Sequence, residues 1–256
     1  MSDILLSQFI LFLLLFVRIV SMVAVAPVFG HEGVPPQVKI VLSLFLALIF
    51  YPFVFKMKQQ ISLQLAPFVV AVFSEACIGM LMGFAAGIIF AGAQVAGDFL
   101  AFNMGLGFAQ MFDPSMNQQV TVLSKFFYVI ALLIFVVING PHFLLQGLQL
   151  SYSYVPIGHF QFSESLYNEV ITLSKTMFVV AVKISAPAVV ALFLTNVVLA
   201  ILARVVPQMN VFLVGFPLQI AVGLVVLFII SPLMVFVFKK LLLTFEDNFF
   251  ELVKVL

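Results

Sequence analysis

Six long stretches of this chain carry almost no charge, at approximately residues 4–29, 38–55, 66–97, 120–138, 170–202 and 211–238. A bilayer hydrocarbon core about 30 Å thick is crossed by about 20 apolar residues of helix, so each stretch meets or approaches the length of a membrane span. Inside lipid every backbone N–H and C=O must find its partner within the protein, and for single segments of this length the helix provides that pairing. The composition agrees, because 64% hydrophobic and 8% charged residues, with 32 Phe among 256, supply too little charge to clothe a water-soluble surface. The expected fold class is an all-α integral membrane protein with about six hydrophobic segments. Residues 1–256 read as a single membrane-embedded helical domain, since the separators leave no room for a soluble one.

Those separators carry breaker chemistry: Gly30 to Pro36, Lys56 to Gln60, Asp113-Pro114-Ser115, Asn139-Gly140-Pro141 and Pro207-Gln208-Met209-Asn210. Stretches 66–97 and 170–202 each run to about 32 residues, or about 48 Å as straight helix, longer than one crossing needs. Pro187 lies inside the second, and a kink or break near Ser185 is expected because proline removes a backbone donor and crowds the preceding turn. Residues 97–115 read as a loop or broken helix packed within protein, with Gly105 and Gly107 close together and Asp113-Pro114 closing the segment. Ala24-Val25-Ala26 has the form of a signal-peptide cleavage site. The absence of an N-terminal basic residue, the long apolar stretch and the following Pro27 argue for retention instead.

With six crossings, Lys56, Lys58, Lys239, Lys240 and Lys254 share the side of both termini, against Arg204 and Lys39 on the other, which predicts cytoplasmic termini. Residues 239–256 place Leu242, Phe245, Phe249, Leu252 and Leu256 on one helical face and Lys240, Asp247, Glu251 and Lys254 on another. This pattern predicts a cytoplasmic amphipathic helix, lying either on lipid headgroups or against a partner.

Several function classes find no support. A formal charge of +1 and no basic run give no electrostatic footprint for nucleic acid. The one cysteine, Cys77, allows neither an internal disulfide nor a cysteine zinc site. His31, His142 and His159 lie far apart in predicted connectors, so neither a metal nor another cofactor is expected. No H-E-x-x-H, G-x-S-x-G or Walker A sequence is present. Asp98 and Asp113 suggest an intramembrane aspartyl pair, but Phe108 follows Gly105-Leu106-Gly107 where such a protease requires Asp. The chain is not expected to be an enzyme.

The informative polar residues are the ones that interrupt the apolar stretches. Arg18, Glu75, Lys125, Lys183 and Arg204 lie within them or at their margins, and Asp98 directly follows one. A charge at the bilayer centre costs at least about 2.5–3.5 kcal/mol, so these side chains require protein partners, water-filled space or a place outside the lipid core. Arg18, Glu75 and Lys183 fit either buried ion pairs or an ion or proton pathway, and Arg204 fits snorkelling to headgroups as well as packing within protein. Gly79, Gly83, Gly87 and Ala91 recur every four residues, a small-residue ridge that admits a second backbone from this chain or another subunit. The run from Phe102 to Phe112, with Met116 beyond it, supplies deformable apolar bulk suited to core filling or to sealing a passage.

Three blocks resemble the FliR family of flagellar export-gate proteins and their counterparts in virulence type III secretion. The first is Arg18-Ile19 with Ala26-Pro27-Val28-Phe29-Gly30, Val34-Pro35 and Lys39-Ile40. The second runs from Glu75 through Gly79 and Gly83 to Ala93-Gln94-Val95-Ala96-Gly97, Gly105-Leu106-Gly107 and Asp113-Pro114. The third is Arg204 through Phe212 with Val214-Gly215-Phe216-Pro217, including the turn residues Pro207, Asn210 and Phe212 before the last hairpin. Asn139-Gly140-Pro141-His142 and Ser151 to Pro156 resemble the middle region, with a departure at Pro141, where the family places His directly after Asn-Gly.

The resemblance implies kinked helical hairpins packed in a helical hetero-oligomer with FliP and FliQ subunits, near FlhB and FlhA, in the bacterial inner membrane at the flagellar basal body. Unfolded flagellar proteins would be its substrates. It also implies a channel plug at roughly Leu106 to Gln118, with Leu106, Phe108, Met111, Phe112 and Met116 as gasket residues. The competing expectation is an ion or small-molecule transporter using Glu75, Asp98 and Lys183, for which the two halves of the chain show no convincing repeat.

Overall fold

The computed structural model describes residues 2–31, 33–57, 64–106, 121–160, 162–206 and 211–256, with backbone alone at 2–4 and 211–213. Their regular structure is helical throughout: α1 (Ser2–Val25), α2 (Pro36–Lys56), α3 (Leu65–Asn103), α4 (Val122–Val137), α5 (Gly140–Tyr154), α6 (Glu164–Val205) and α7 (Val211–Val255). Five of them, α1, α2, α3, α6 and α7, are long and apolar enough to cross a membrane. Helices α4 and α5 meet at a bend of 69° and pass the same test of length and apolarity only together, the pattern of a broken span or a re-entrant loop. The chain is a multi-pass membrane protein.

The overlong segments are longer than their apolar cores suggested, with α3 at 39 residues and α6 at 42. Helix α6 continues through Pro187, so the kink or break expected near Ser185 is not a break. One missing backbone donor does not end a helix whose neighbouring turns on both sides bury Val180, Ala181, Ile184, Ala188 and Leu192. Residues 98–103, expected to be irregular, prolong α3, and the break comes at Gly105, whose φ of +75° is the left-handed conformation that glycine adopts without cost.

A further correction concerns the middle of the chain, where Gly140 to Tyr154 is a helix rather than a connector, so His142 is an exposed helical residue. Asn139 turns the chain in the left-handed conformation at φ 61°, and Pro141 stands in the first turn, where its missing N–H costs nothing.

Packing divides the chain into two compact units. The first comprises Met1–Ile88, Asn139–Ser174 and Thr244–Leu256, and the second Ile89–Ile138 and Lys175–Leu243. Helices α3, α6 and α7 each contribute residues to both. In the first unit, α1 presents Leu11, Leu14, Leu15, Ile19, Met22 and Val23 as one buried stripe. The amphipathic segment at the chain end is the continuation of α7, and its apolar stripe is covered by this chain itself. Phe245 and Phe249 meet Phe143 of α5 edge-on at centroid separations of 6.4 and 5.5 Å, an arrangement favoured by the ring quadrupoles. The opposite face stays exposed and carries the Lys254–Glu251 contact of 2.7 Å. In the second unit, Phe90 packs edge-on against Phe135 at 5.3 Å.

Candidate functional site

Arg18 sits on the buried stripe of α1, one turn beyond Leu14 and Leu15. Glu75 occupies the face of α3 that also buries Ile78, Met82, Ala85 and Ala86. Helical periodicity therefore delivers one cation and one anion into the same apolar interior. Both side chains are wholly buried, and they bind through two bonds, Arg18 Nε to Glu75 Oε2 at 2.6 Å and Arg18 Nη2 to Glu75 Oε1 at 3.0 Å.

The remaining capacity of the pair is met by α5 and the turn after it. Arg18 Nη1 donates to Ser151 Oγ at 3.1 Å and Nη2 to the Val155 carbonyl at 3.2 Å. The guanidinium lies 4.4 Å from the centroid of the Tyr152 ring, while the Tyr152 hydroxyl donates to the Leu15 carbonyl at 3.3 Å. Glu75 Oε1 also accepts from the Gly158 backbone N–H at 2.9 Å. Burying such a pair costs several kcal/mol of hydration per ion, which only good geometry and full satisfaction of the polar atoms offset. The described residues contain no buried side-chain nitrogen or oxygen without a hydrogen-bond partner. Ser151, Tyr152 and Gly158 are partners of Arg18 and Glu75 that the sequence pattern does not identify. Their signal was weak, since nothing in the spacing of 18, 75 and 151–158 announces that they meet.

The small-residue ridge is what lets α1 and α3 come close enough for this pairing. A Cβ at Gly79 would collide with the Arg18 carbonyl and stand 3.0 Å from Met22 N, and one at Gly83 would stand 2.8 Å from the Met22 carbonyl. Gly87 faces open space, with nothing within 4 Å of such a Cβ. The same unit holds the Ala26 to Gly30 turn, in which Gly30 N–H donates to the Ala26 carbonyl at 2.7 Å and Val28 takes φ +73°. Lys39 Nζ of α2 donates to the Gly30 carbonyl at 2.8 Å, so this motif lysine is a turn clasp.

In the second unit, packing on one side and hydrogen bonds on the other secure the residues that flank positions 107–120. On one side Met104 is fully buried, a Cβ on Gly223 of α7 would lie 2.7 Å from its Cγ, and Gly105 rests against Phe216 and Gln219. Gln219 in turn donates to Asn196 Oδ1 of α6. On the other side Thr121 caps α4, accepting from Ser124 N–H at 3.1 Å and donating to Asp98 Oδ1 at 3.0 Å. Ser124 Oγ donates to the Gln94 carbonyl at 2.7 Å, and Gly97 leaves room for the start of α4, since a Cβ there would come within 2.6 Å of Ser124 Cα. Thr121, directly before an apolar run, carried a helix-start signal that could have been read.

The structure thus brings Arg18 and Glu75 together and places Asp98, half-buried, on Thr121. Lys125, Lys183 and Arg204 are exposed on the surface of the single chain. Leu106 is half-buried at the end of the described stretch. Phe108, Met111, Phe112, Met116, Pro207 and Asn210 lie outside the described residues, as does the side chain of Phe212. Among the described residues no group of three or more His, Cys, Asp or Glu could hold a metal ion.

Comparison with known proteins gives this arrangement a family. The profile of Bacterial export proteins, family 1, matches residues 9–245. The flagellar biosynthetic protein FliR of Bacillus subtilis (strain 168) is 36% identical over 240 residues, which span 92% of each chain. FliR of Aquifex aeolicus (strain VF5) is 32% identical over 228 residues, 89% of this chain and 88% of its own. FliR of Escherichia coli (strain K12) is 27% identical over 225 residues, 84% and 82% of the two chains. A match that runs from within α1 to within α7, and includes every residue of the Arg18–Glu75 network, makes this chain a member of the FliR family of bacterial export proteins.

Proposed function

We propose that this protein is a core subunit of the flagellar type III export gate in the bacterial inner membrane, where it helps form and plug the channel for unfolded flagellar proteins. The observation that carries the reading is the family match over residues 9–245. The surface supports it. Along α6, Phe178, Val182, Val190, Phe193, Leu194 and Ile201 are exposed together with Lys183, and an exposed lysine among such residues calls for protein cover at least as much as for lipid. FliP and FliQ are the proposed covering subunits, with FlhB and FlhA nearby.

The plug is assigned to Leu106–Gln118. On either side of it, Met104 and Gly105 pack on α7 and Thr121 donates to Asp98. The chain acts as scaffold and seal, and the energy for export enters through other components. Deleting Leu106–Gln118 is expected to leave the complex assembled and to raise ion conductance across the membrane; unchanged conductance would remove the plug assignment. Purification in gentle detergent followed by native mass spectrometry tests the larger reading. Several copies of small helical membrane proteins should accompany this chain, and a stable monomer with transport activity would overturn it.

The transporter reading loses ground on one observation. Glu75, its best ion-binding candidate, has Oε2 on Arg18 and Oε1 shared between Arg18 and the Gly158 amide.

A further inference from the structure

The Arg18–Glu75 pair is explained in part by its own charge balance, yet one of the bonds that satisfies the Glu75 carboxylate also reaches a distant turn. Gly158 N–H donates to Glu75 Oε1 at 2.9 Å, reaching from the turn after α5 into a helix 83 residues earlier. Within itself the turn is closed by Val155 N–H on the Ser151 carbonyl at 2.9 Å and His159 N–H on the Pro156 carbonyl at 3.2 Å, and the Gly158 bond is what ties it to α3. Gly158 is left-handed at φ +79°, and a Cβ there would approach Ala71 Cβ of α3 at 3.2 Å, so the turn lies directly on α3. Val155 and Ile157 point inward and are buried, whereas Pro156 and His159 are exposed. Arg18 holds the preceding residue of the turn through the Val155 carbonyl at 3.2 Å. Helix α6 opens at Glu164, with Ser163 Oγ accepting from Leu166 N–H at 3.1 Å. Residues 155–158 therefore decide where the chain leaves α5 and sets out toward α6.

We infer that Glu75 is a positioning residue for the Val155–Gly158 turn: its carboxylate oxygen, oriented by Arg18, holds the Gly158 amide and so fixes the α5-to-α6 crossing before any neighbour is bound. The ion pair orients the acceptor, and the acceptor holds the turn. This inference stands on geometry within one compact unit and does not depend on the export-gate reading.

The test separates the hydrogen bond from the charge. Removing one ion alone leaves the other buried and unpaired and threatens the whole fold, so both charges are removed together in two versions of the full-length chain in detergent. Arg18→Met with Glu75→Gln keeps an oxygen that can accept from Gly158 N–H. Arg18→Met with Glu75→Leu has similar bulk and no acceptor. Hydrogen–deuterium exchange at the Gly158 amide is expected to be at least ten-fold faster in the Leu version than in the Gln version, with the exchange of α1 and α3 alike in both. Equal exchange at Gly158 would overturn the inference. An independent reading uses Ile157→Cys in a Cys77→Ser background, labelled with N-ethylmaleimide in native membranes. The buried position should react at least ten-fold faster in the Leu version, and equal protection in both versions would again refute the assignment.

Discussion

Val28 stands in the left-handed region at φ +73°, a conformation that crowds a β-branched side chain against its own backbone and costs about 1–2 kcal/mol. The turn tolerates it because its ends are clasped twice, by Gly30 N–H on the Ala26 carbonyl and by Lys39 on the Gly30 carbonyl. Replacing Val28 by Gly should remove the strain and raise the midpoint of thermal aggregation in detergent, offset in part by the greater freedom of Gly in the unfolded chain. A lower midpoint would mean that the Val28 side chain contributes packing that outweighs the strain. The Lys39→Met substitution should act in the opposite direction, since it removes the clasp while keeping most of the side-chain bulk. At this scale the ionisable residues were legible as anomalies from the sequence, because charge inside an apolar helix demands an explanation. Their partners were not legible: a hydrogen bond from Gly158 to Glu75 depends on a tertiary meeting that local periodicity does not encode.

At the scale of elements, the glycines on α3 divide into those that make a helix contact and one that does not. Gly79 and Gly83 lie against the backbone of α1, whereas Gly87 faces open space. Gly79→Ala would force α1 and α3 apart at backbone atoms that cannot yield, and overpacking of this kind typically costs about 1–3 kcal/mol. Gly87→Ala meets nothing and gains helix propensity of up to about 1 kcal/mol. The expected pattern in a detergent melting series is therefore a marked loss for Gly79→Ala and no loss for Gly87→Ala. Equal losses would show that the whole ridge is contacted in the assembled state. The four-residue repeat identified the ridge, but only the fold distinguishes its occupied end from its open one. Helix α5 is hidden in the sequence for a related reason. Asn139-Gly140-Pro141 is sound turn chemistry and does turn the chain, through 69°, but Pro141 in the first turn of a helix starts it as readily as it ends one. The polar residues Gln146, Gln149 and Ser151 then hid a helix whose Phe143, Leu144 and Leu148 are buried.

At the scale of the whole molecule, the buried and the exposed charges call for different experiments. Arg18 and Glu75 are satisfied within the chain, and changing either one alone should destabilise the chain itself. Lys183 is exposed and makes no hydrogen bond or ion pair among the described residues, with apolar Val179, Val182 and Val190 exposed along the same helix. An exposed side chain with no bond to lose contributes little to the stability of its own chain, within about 0.5 kcal/mol. If that face of α6 is covered by another subunit, the lysine meets an acceptor there, and reversing its charge sets like charges together in a low-dielectric interface. Lys183→Glu should therefore leave the melting behaviour of the separately purified chain unchanged while sharply reducing the yield of neighbouring subunits that co-purify with it. Loss of both would place Lys183 in the fold of the chain. Full recovery of the neighbours would instead place the lysine at the lipid surface, reaching the headgroups, and would move the search for the subunit contact to the faces of α4 and α6 that carry Lys125 and Arg204.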